Sequence, residues 1–290
     1  TEEPEGLAEA YFSLGWLYHV ATKQLDQAIT AYDKAIALDP ENSLAYSNRG
    51  IAHSDRGELT AAIADYDKAI ALDPSNSSAY LHRGLARRVQ GELTDALADY
   101  DKAIALDPTN AFAYNNRGNV HYGEGEMAAA IADYDKVIAL DPDFAWAYYN
   151  RGNVHYVQGE LTTAIADYNK AISRNLNDAW VYTARGNTLA DQGELAAAIA
   201  DYDKAISLDP DYAAAYYNRG NTLADQGELA AAIADYDKAI SLDPDYAAAY
   251  HGLCWNYSLQ GQPELALPHC QHAIELDPAP KYYDSQGLAY

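Results

Sequence analysis

Three sets of side chains in this sequence have types and spacings that could do chemistry. The first lies near the end of the chain: His251, Cys254, His269, Cys270 and His272. Imidazoles and thiols are zinc-type ligands. The second is His53, His121 and His155, which fall at multiples of one long interval. The third is a column of arginines, Arg49, Arg83, Arg117, Arg151, Arg185 and Arg219. Each is followed, always at the same spacing, by an aspartate: Asp65, Asp99, Asp133, Asp167, Asp201 and Asp235. Carboxylates are plentiful, 43 Asp and Glu against 19 Lys and Arg, but they fall on the same long period. A catalytic pair should stand out from such a period, and none does. There is no phosphate-binding loop, dinucleotide fingerprint or nucleophile elbow. The reading is therefore of no catalytic residue, no metal and no cofactor.

The elements that must position these groups follow from the period itself. Asp-Pro occurs at 39–40, 73–74, 107–108, 141–142, 209–210, 243–244 and 277–278, at one constant interval except for a single gap of twice that length. Asn175-Leu176 stands in the middle of that gap, and residues 185–216 recur identically at 219–250. Within one period, Tyr46, Gly50 and His53 share a helix face, and Gly57 stops that helix. Leu59, Ala62, Ile63, Tyr66, Ala69 and Ile70 mark a second helix that Pro74 ends. Each period is a helical hairpin whose apolar stripe must be covered by its neighbours.

The pattern of Tyr46, Gly50, Ala62, Tyr66, Ala69 and Pro74 at repeat positions 4, 8, 20, 24, 27 and 32 resembles the tetratricopeptide repeat, and the resemblance covers nearly the whole chain. It implies an all-α, right-handed superhelical solenoid of stacked helical hairpins, read as one domain over 1–290. Eight units are expected at about 8–42, 43–76, 77–110, 111–144, 145–178, 179–212, 213–246 and 247–280, with 281–290 as a partial capping helix bearing Tyr282, Tyr283 and Leu288. The first unit departs: Gly15 and Ala28 are one residue too far apart, and Lys23-Gln24-Leu25 replaces the glycine turn. Position 7, usually leucine in the family, carries the arginines. Units one and eight have Leu14 and Leu253 there and also lack the aspartate, having Ala31 and His269. Presence and absence together imply that arginine and aspartate pair, within or between neighbouring repeats, rather than bind a ligand. The three histidines hold position 11 and are expected towards the core with partners. Cys254 holds the family's glycine position and Cys270 its second aromatic position, columns that face each other. Compensated packing of two thiols is the leading reading, with a disulfide or a metal as alternatives.

The family lines its concave face with first-helix positions 2, 5, 6, 9, 12 and 13. Position 9 supplies Asn119, Asn153, Asn187 and Asn221, and position 6 supplies Asn48, Asn116, Asn150 and Asn218. An amide offers both a donor and an acceptor, so such rows suit the backbone of an extended peptide; the alternative is that they are helix-surface or inter-repeat residues of the family pattern. Phe112, Trp146 and Trp180 at position 2, Tyr149 and Tyr217 at position 5, and Tyr122 and Tyr156 at position 12 are candidate anchors, with packing against the next helix as the alternative. Alanine at Asn119 and Asn153 together is expected to lose the partner with folding unchanged. Position 5 has no lysine, so a carboxylate clamp for chaperone tails is not expected. The resemblance thus implies a non-catalytic scaffold for a protein or peptide partner. The alternatives are a regulatory portion of a larger enzyme, or a homo-oligomer formed through the repeat ends. A net charge of −24 argues against nucleic acid and anionic membranes. No apolar run is long enough for membrane insertion. A cytoplasmic setting is favoured, and a removed leader would allow a periplasmic one.

Overall fold

The computed structural model describes residues 4–278, and the expected capping helix lies outside the described residues. Those residues form sixteen α-helices and no strand. They fall in two compact units. Thr1–Pro142 holds α1 (Pro4–Trp16), α2 (Leu25–Leu38), α3 (Ser43–Asp55), α4 (Leu59–Leu72), α5 (Ser77–Gln90), α6 (Leu93–Leu106), α7 (Ala111–Gly123) and α8 (Met127–Leu140). Asp143–Tyr290 holds α9 (Ala145–Val157), α10 (Leu161–Ser173), α11 (Ala179–Asp191), α12 (Leu195–Leu208), α13 (Ala213–Asp225), α14 (Leu229–Leu242), α15 (Ala247–Leu259) and α16 (Pro263–Leu276). In each unit consecutive helices pair as hairpins, and each hairpin packs on the next. First helices also meet directly, α3 with α5 and α5 with α7 in one unit, and α9, α11, α13 and α15 in succession in the other. The chain is therefore an all-helical repeat solenoid. None of its described helices is long and apolar enough to cross a membrane.

Glycine and tyrosine set the spacing inside each hairpin. A Cβ on Gly118 would stand 2.9 Å from Cε1 of Tyr134, whose ring is completely buried. Only a hydrogen at that position lets the ring lie flat against the first helix. Asparagine starts several first helices: the Asn110 side chain accepts from the Ala113 backbone N–H at 3.2 Å, satisfying a donor that the helix cannot. Gly57 closes the hairpin turn at φ 80°, in the left-handed region.

The irregular units keep this packing by local repairs. Leu17–Ala21 winds as a π-helix, which absorbs the extra residue between Gly15 and Ala28. Gly15 still faces Tyr32, and Lys23 takes the left-handed turn position at φ 56°. Where Asp-Pro is missing, Asn175 adopts φ 66° and the Leu176 N–H reaches back to the Ala171 carbonyl at 3.2 Å. That closes α10 as a left-handed cap does, and Leu176 is buried. In the last hairpin the expectation of two packed thiols is corrected. Cys254 and Cys270 form a disulfide, with Cα atoms 5.0 Å apart. The glycine and tyrosine columns do face each other there, and facing columns at that distance suit a bond.

Candidate functional site

The arginine and aspartate columns pair with each other, as their joint presence implied. In the first unit Arg117 grips Asp133 with Nε at 2.9 Å and Nη2 at 2.6 Å. Its Nη1 donates to Asp101 of the preceding hairpin at 2.6 Å. Arg49 and Arg83 do the same with Asp65 and Asp33, and with Asp99 and Asp67. In the second unit Arg219 bonds Asp235 and Asp203, while Arg185 bonds Asp201 and, in place of a second aspartate, Asn169. Each fork therefore joins the two helices of one hairpin and reaches one hairpin back. The guanidinium also lies over a tyrosine, Arg117 at 5.6 Å from the Tyr114 ring and Arg219 at 5.7 Å from Tyr216. Hydrogen bonds donated to the aspartates push the pKa of Arg117 and Arg219 up, so these cations stay charged.

The position-11 histidines have partners as expected. Nδ1 of His53, His121 and His155 lies 2.6, 2.5 and 2.7 Å from Glu58, Glu126 and Glu160. Their Nε2 atoms stand 3.9 to 4.0 Å from the buried aspartates. The His53 hydrogen bond holds the Glu58 carboxyl below the usual range. Among the described residues no group of three or more His, Cys, Asp or Glu is placed to hold a metal. The two thiols of the last hairpin are spent on each other.

The position-9 asparagines do structural work inside the hairpins. Oδ1 of Asn119 accepts from the Tyr134 hydroxyl at 2.8 Å, and Asn153 accepts from Tyr168 at 2.8 Å. Asn187 and Asn221 accept from Tyr202 and Tyr236 at 2.9 Å. These position-9 amides are half-buried, and their acceptor oxygen belongs to the hairpin. The expectation of unchanged folding after alanine substitution at Asn119 and Asn153 is therefore corrected. Each change strands a buried hydroxyl, at about 1–3 kcal/mol. Asn116 donates to the Phe112 carbonyl at 2.8 Å, one turn back along α7.

Trp146, Tyr149, Tyr156 and Trp180 lie in the second unit. The Trp146 and Trp180 rings stack at 4.9 Å, and Tyr149 meets Trp180 edge-on at 4.4 Å. Trp146 remains 49% exposed, so the stack presents a broad apolar face. In the first unit Phe112 is exposed and Tyr122 half-buried. The Tyr156 hydroxyl donates to Asp191 at 2.7 Å, and burial pushes its pKa up to about 12. Tyr156, Asn187, Asp191, Asn218, Asn221 and Asp225 line a cavity of about 260 Å³ on the first-helix face. A larger cavity of about 700 Å³ lies between α13 and α15. Neither is lined by lysine or arginine.

Asp191, Asp225, Trp255 and Asn256 were not singled out by the sequence reading. One signal was available: Trp255 interrupts the column occupied by asparagine in the four preceding hairpins.

Comparison with known proteins places these features in a family. A model described as "TPR repeat" matches residues 86–125, 122–159 and 186–227, and two described as "Tetratricopeptide repeat" match 145–178 with 213–246, and 16–77. Curated protein sequences yield no significant match. Among solved structures, the APC/C hetero-tetramer Cut9-Hcn1 is similar at 18% identity and TM-score 0.68 over 91% of this chain. The match takes in 52% of that protein, so this chain spans about half its length. A tetratricopeptide repeat protein from Parabacteroides merdae is similar at 21% identity and TM-score 0.66, over 85% of this chain and 98% of that one. YrrB, a TPR protein with an unusual peptide-binding site, is 27% identical over 63% of this chain and 94% of its own, with TM-score 0.53.

Proposed function

Since the chain belongs to the tetratricopeptide-repeat family, we propose that it is a non-catalytic scaffold holding an extended segment of a partner protein on its first-helix face. One observation carries this reading. In the second unit that face combines an amide- and carboxylate-lined cavity with an exposed tryptophan stack. Exposed rings of this size are unusual on a surface that needs only solubility, and aromatic anchors are what binding faces concentrate. The amides add hydrogen bonds that tolerate many sequences, because a peptide backbone is the same whatever its side chains. The peptide-binding site of YrrB, a protein of related sequence, points the same way. The acidic lining and the net charge of −24 favour a basic segment.

The reading is tested with peptides selected from a random display library against the full chain. A double variant, Trp146→Ala with Asn218→Ala, removes one ring and one amide and spares the asparagines that hold the tyrosine hydroxyls. Its affinity should fall roughly tenfold or more, with circular dichroism unchanged. Lys170→Ala, on the exposed side of α10, should bind as the parent does. Equal affinity for all three proteins would refute the assignment of the face.

A further inference from the structure

We propose that the cavity between α13 and α15 receives the guanidinium of an arginine side chain. The hairpin formed by α15 and α16 is where the repeat pattern breaks. Its tyrosine has given way to the Cys254–Cys270 disulfide, so no hydroxyl needs an asparagine opposite. Trp255 takes that column and is 39% exposed. The next position, Val120, Val154, Thr188 and Thr222 in the preceding hairpins, becomes Asn256. Thr188 and Thr222 satisfy themselves by donating to the carbonyl one turn back. Asn256 is 1% exposed, and its Nδ2 donates to the Gly252 carbonyl at 2.9 Å. Its Oδ1 is buried with no hydrogen-bond partner.

A buried acceptor without a donor is costly, and Asn256 is one of the residues around an open cavity of about 700 Å³. The same cavity is walled by Tyr217, Trp255 and His251, with the exposed carboxylate of Asp225 among its lining groups. The missing partner must therefore supply donors, positive charge and a flat face. A guanidinium has all three: its N–H fork serves Asn256 and Asp225, and its plane stacks on the indole. An ammonium supplies donors but no plane, and a quaternary ammonium would leave Asn256 unpaired. The chain's own net charge of −24 attracts such a group. The inference deepens the groove reading and rests on it for its use by a partner, while the probe tests the cavity alone.

The full chain is titrated with N-acetyl-arginine methylamide and followed by the Trp255 indole N–H resonance, assigned with Trp255→Phe. A saturable shift is expected, with the citrulline and lysine derivatives roughly tenfold weaker or more. Asn256→Leu and Asp225→Asn should each weaken arginine binding by a similar factor. Asp225 is exposed, so its variant remains informative if the buried Asn256 change disturbs folding. No saturation, equal binding of citrulline, or indifference to Asp225→Asn would each overturn the site. Arginine binding intact beside peptides indifferent to Trp146 and Asn218 would sink the groove reading and leave this one standing.

Discussion

Arg117→Leu should destabilise the protein by about 3–5 kcal/mol, and adding Asp133→Ala to it should restore most of the loss. The single change leaves a carboxylate whose side chain is only 5% exposed without the bidentate fork that compensates its burial. His121 Nε2, 4.0 Å away, is too far to replace two charge-assisted hydrogen bonds. The double change removes both charges and reproduces what the first hairpin already has, Leu14 with Ala31. The last hairpin makes the same point, since its Leu253 is fully buried where the six inner hairpins have arginine. An apolar rung is therefore compatible with the fold, and the ion pairs act through geometry. Within each unit the forks of Arg49, Arg83, Arg117, Arg185 and Arg219 tie a hairpin to the one before it. Chemical denaturation of parent, single and double variants measures this directly. A double variant as unstable as the single would show that the pair is not coupled.

Alkaline pH should unfold the chain cooperatively. Tyr32, Tyr66, Tyr100, Tyr134, Tyr202 and Tyr236 are buried, and burial is the first cause raising each pKa above the free value of 10.0. Tyr32 and Tyr100 are pushed up to about 12, and the other four further still. A raised folded pKa contributes stability that is complete below the unfolded value and is lost as pH climbs towards the folded one. Each such ring withdraws about 1.4 kcal/mol per pH unit over that interval. Several rings acting in neighbouring hairpins should therefore produce a steep transition above the free tyrosine value. Tyrosinate absorbance and helical circular dichroism should show that step together, after a gradual rise from the exposed tyrosines. Complete tyrosinate formation with the helices intact would contradict the packing described here.

The fold was legible because its rules are steric and recur at one fixed period along the chain. Gly118 opposite Tyr134 is a close approach that no other residue permits, and the same pair recurs from hairpin to hairpin. The arginine ladder was legible for a different reason: both of its columns vanish together in the end hairpins. The third bond of each fork, to Asp101 or Asn169 one hairpin back, left no such joint absence to read. The asparagine column was half legible. Its position on the first helix was expected, but its acceptor is used by a tyrosine from the second helix. A hint lay in Ile51 and Leu85, which hold that column in the second and third hairpins; in the second, Tyr66 turns to Ser54 instead. Spacing could bring Cys254 and Cys270 together but does not distinguish two thiols from a bond. Nothing in the spacing of Asn256 marks it out; only the fold buries its oxygen without a donor.

The central claim is that the partner lies on the first helices. Photo-cross-linking from single positions tests it most directly, with a benzophenone amino acid placed at 146 on α9 or at 170 on α10, and the library-selected peptides as targets. Cross-links to peptide from position 146, competed away by unlabelled peptide and absent from position 170, are the predicted result. Labelling from position 170 with none from 146 would put the partner on the second helices and contradict the account.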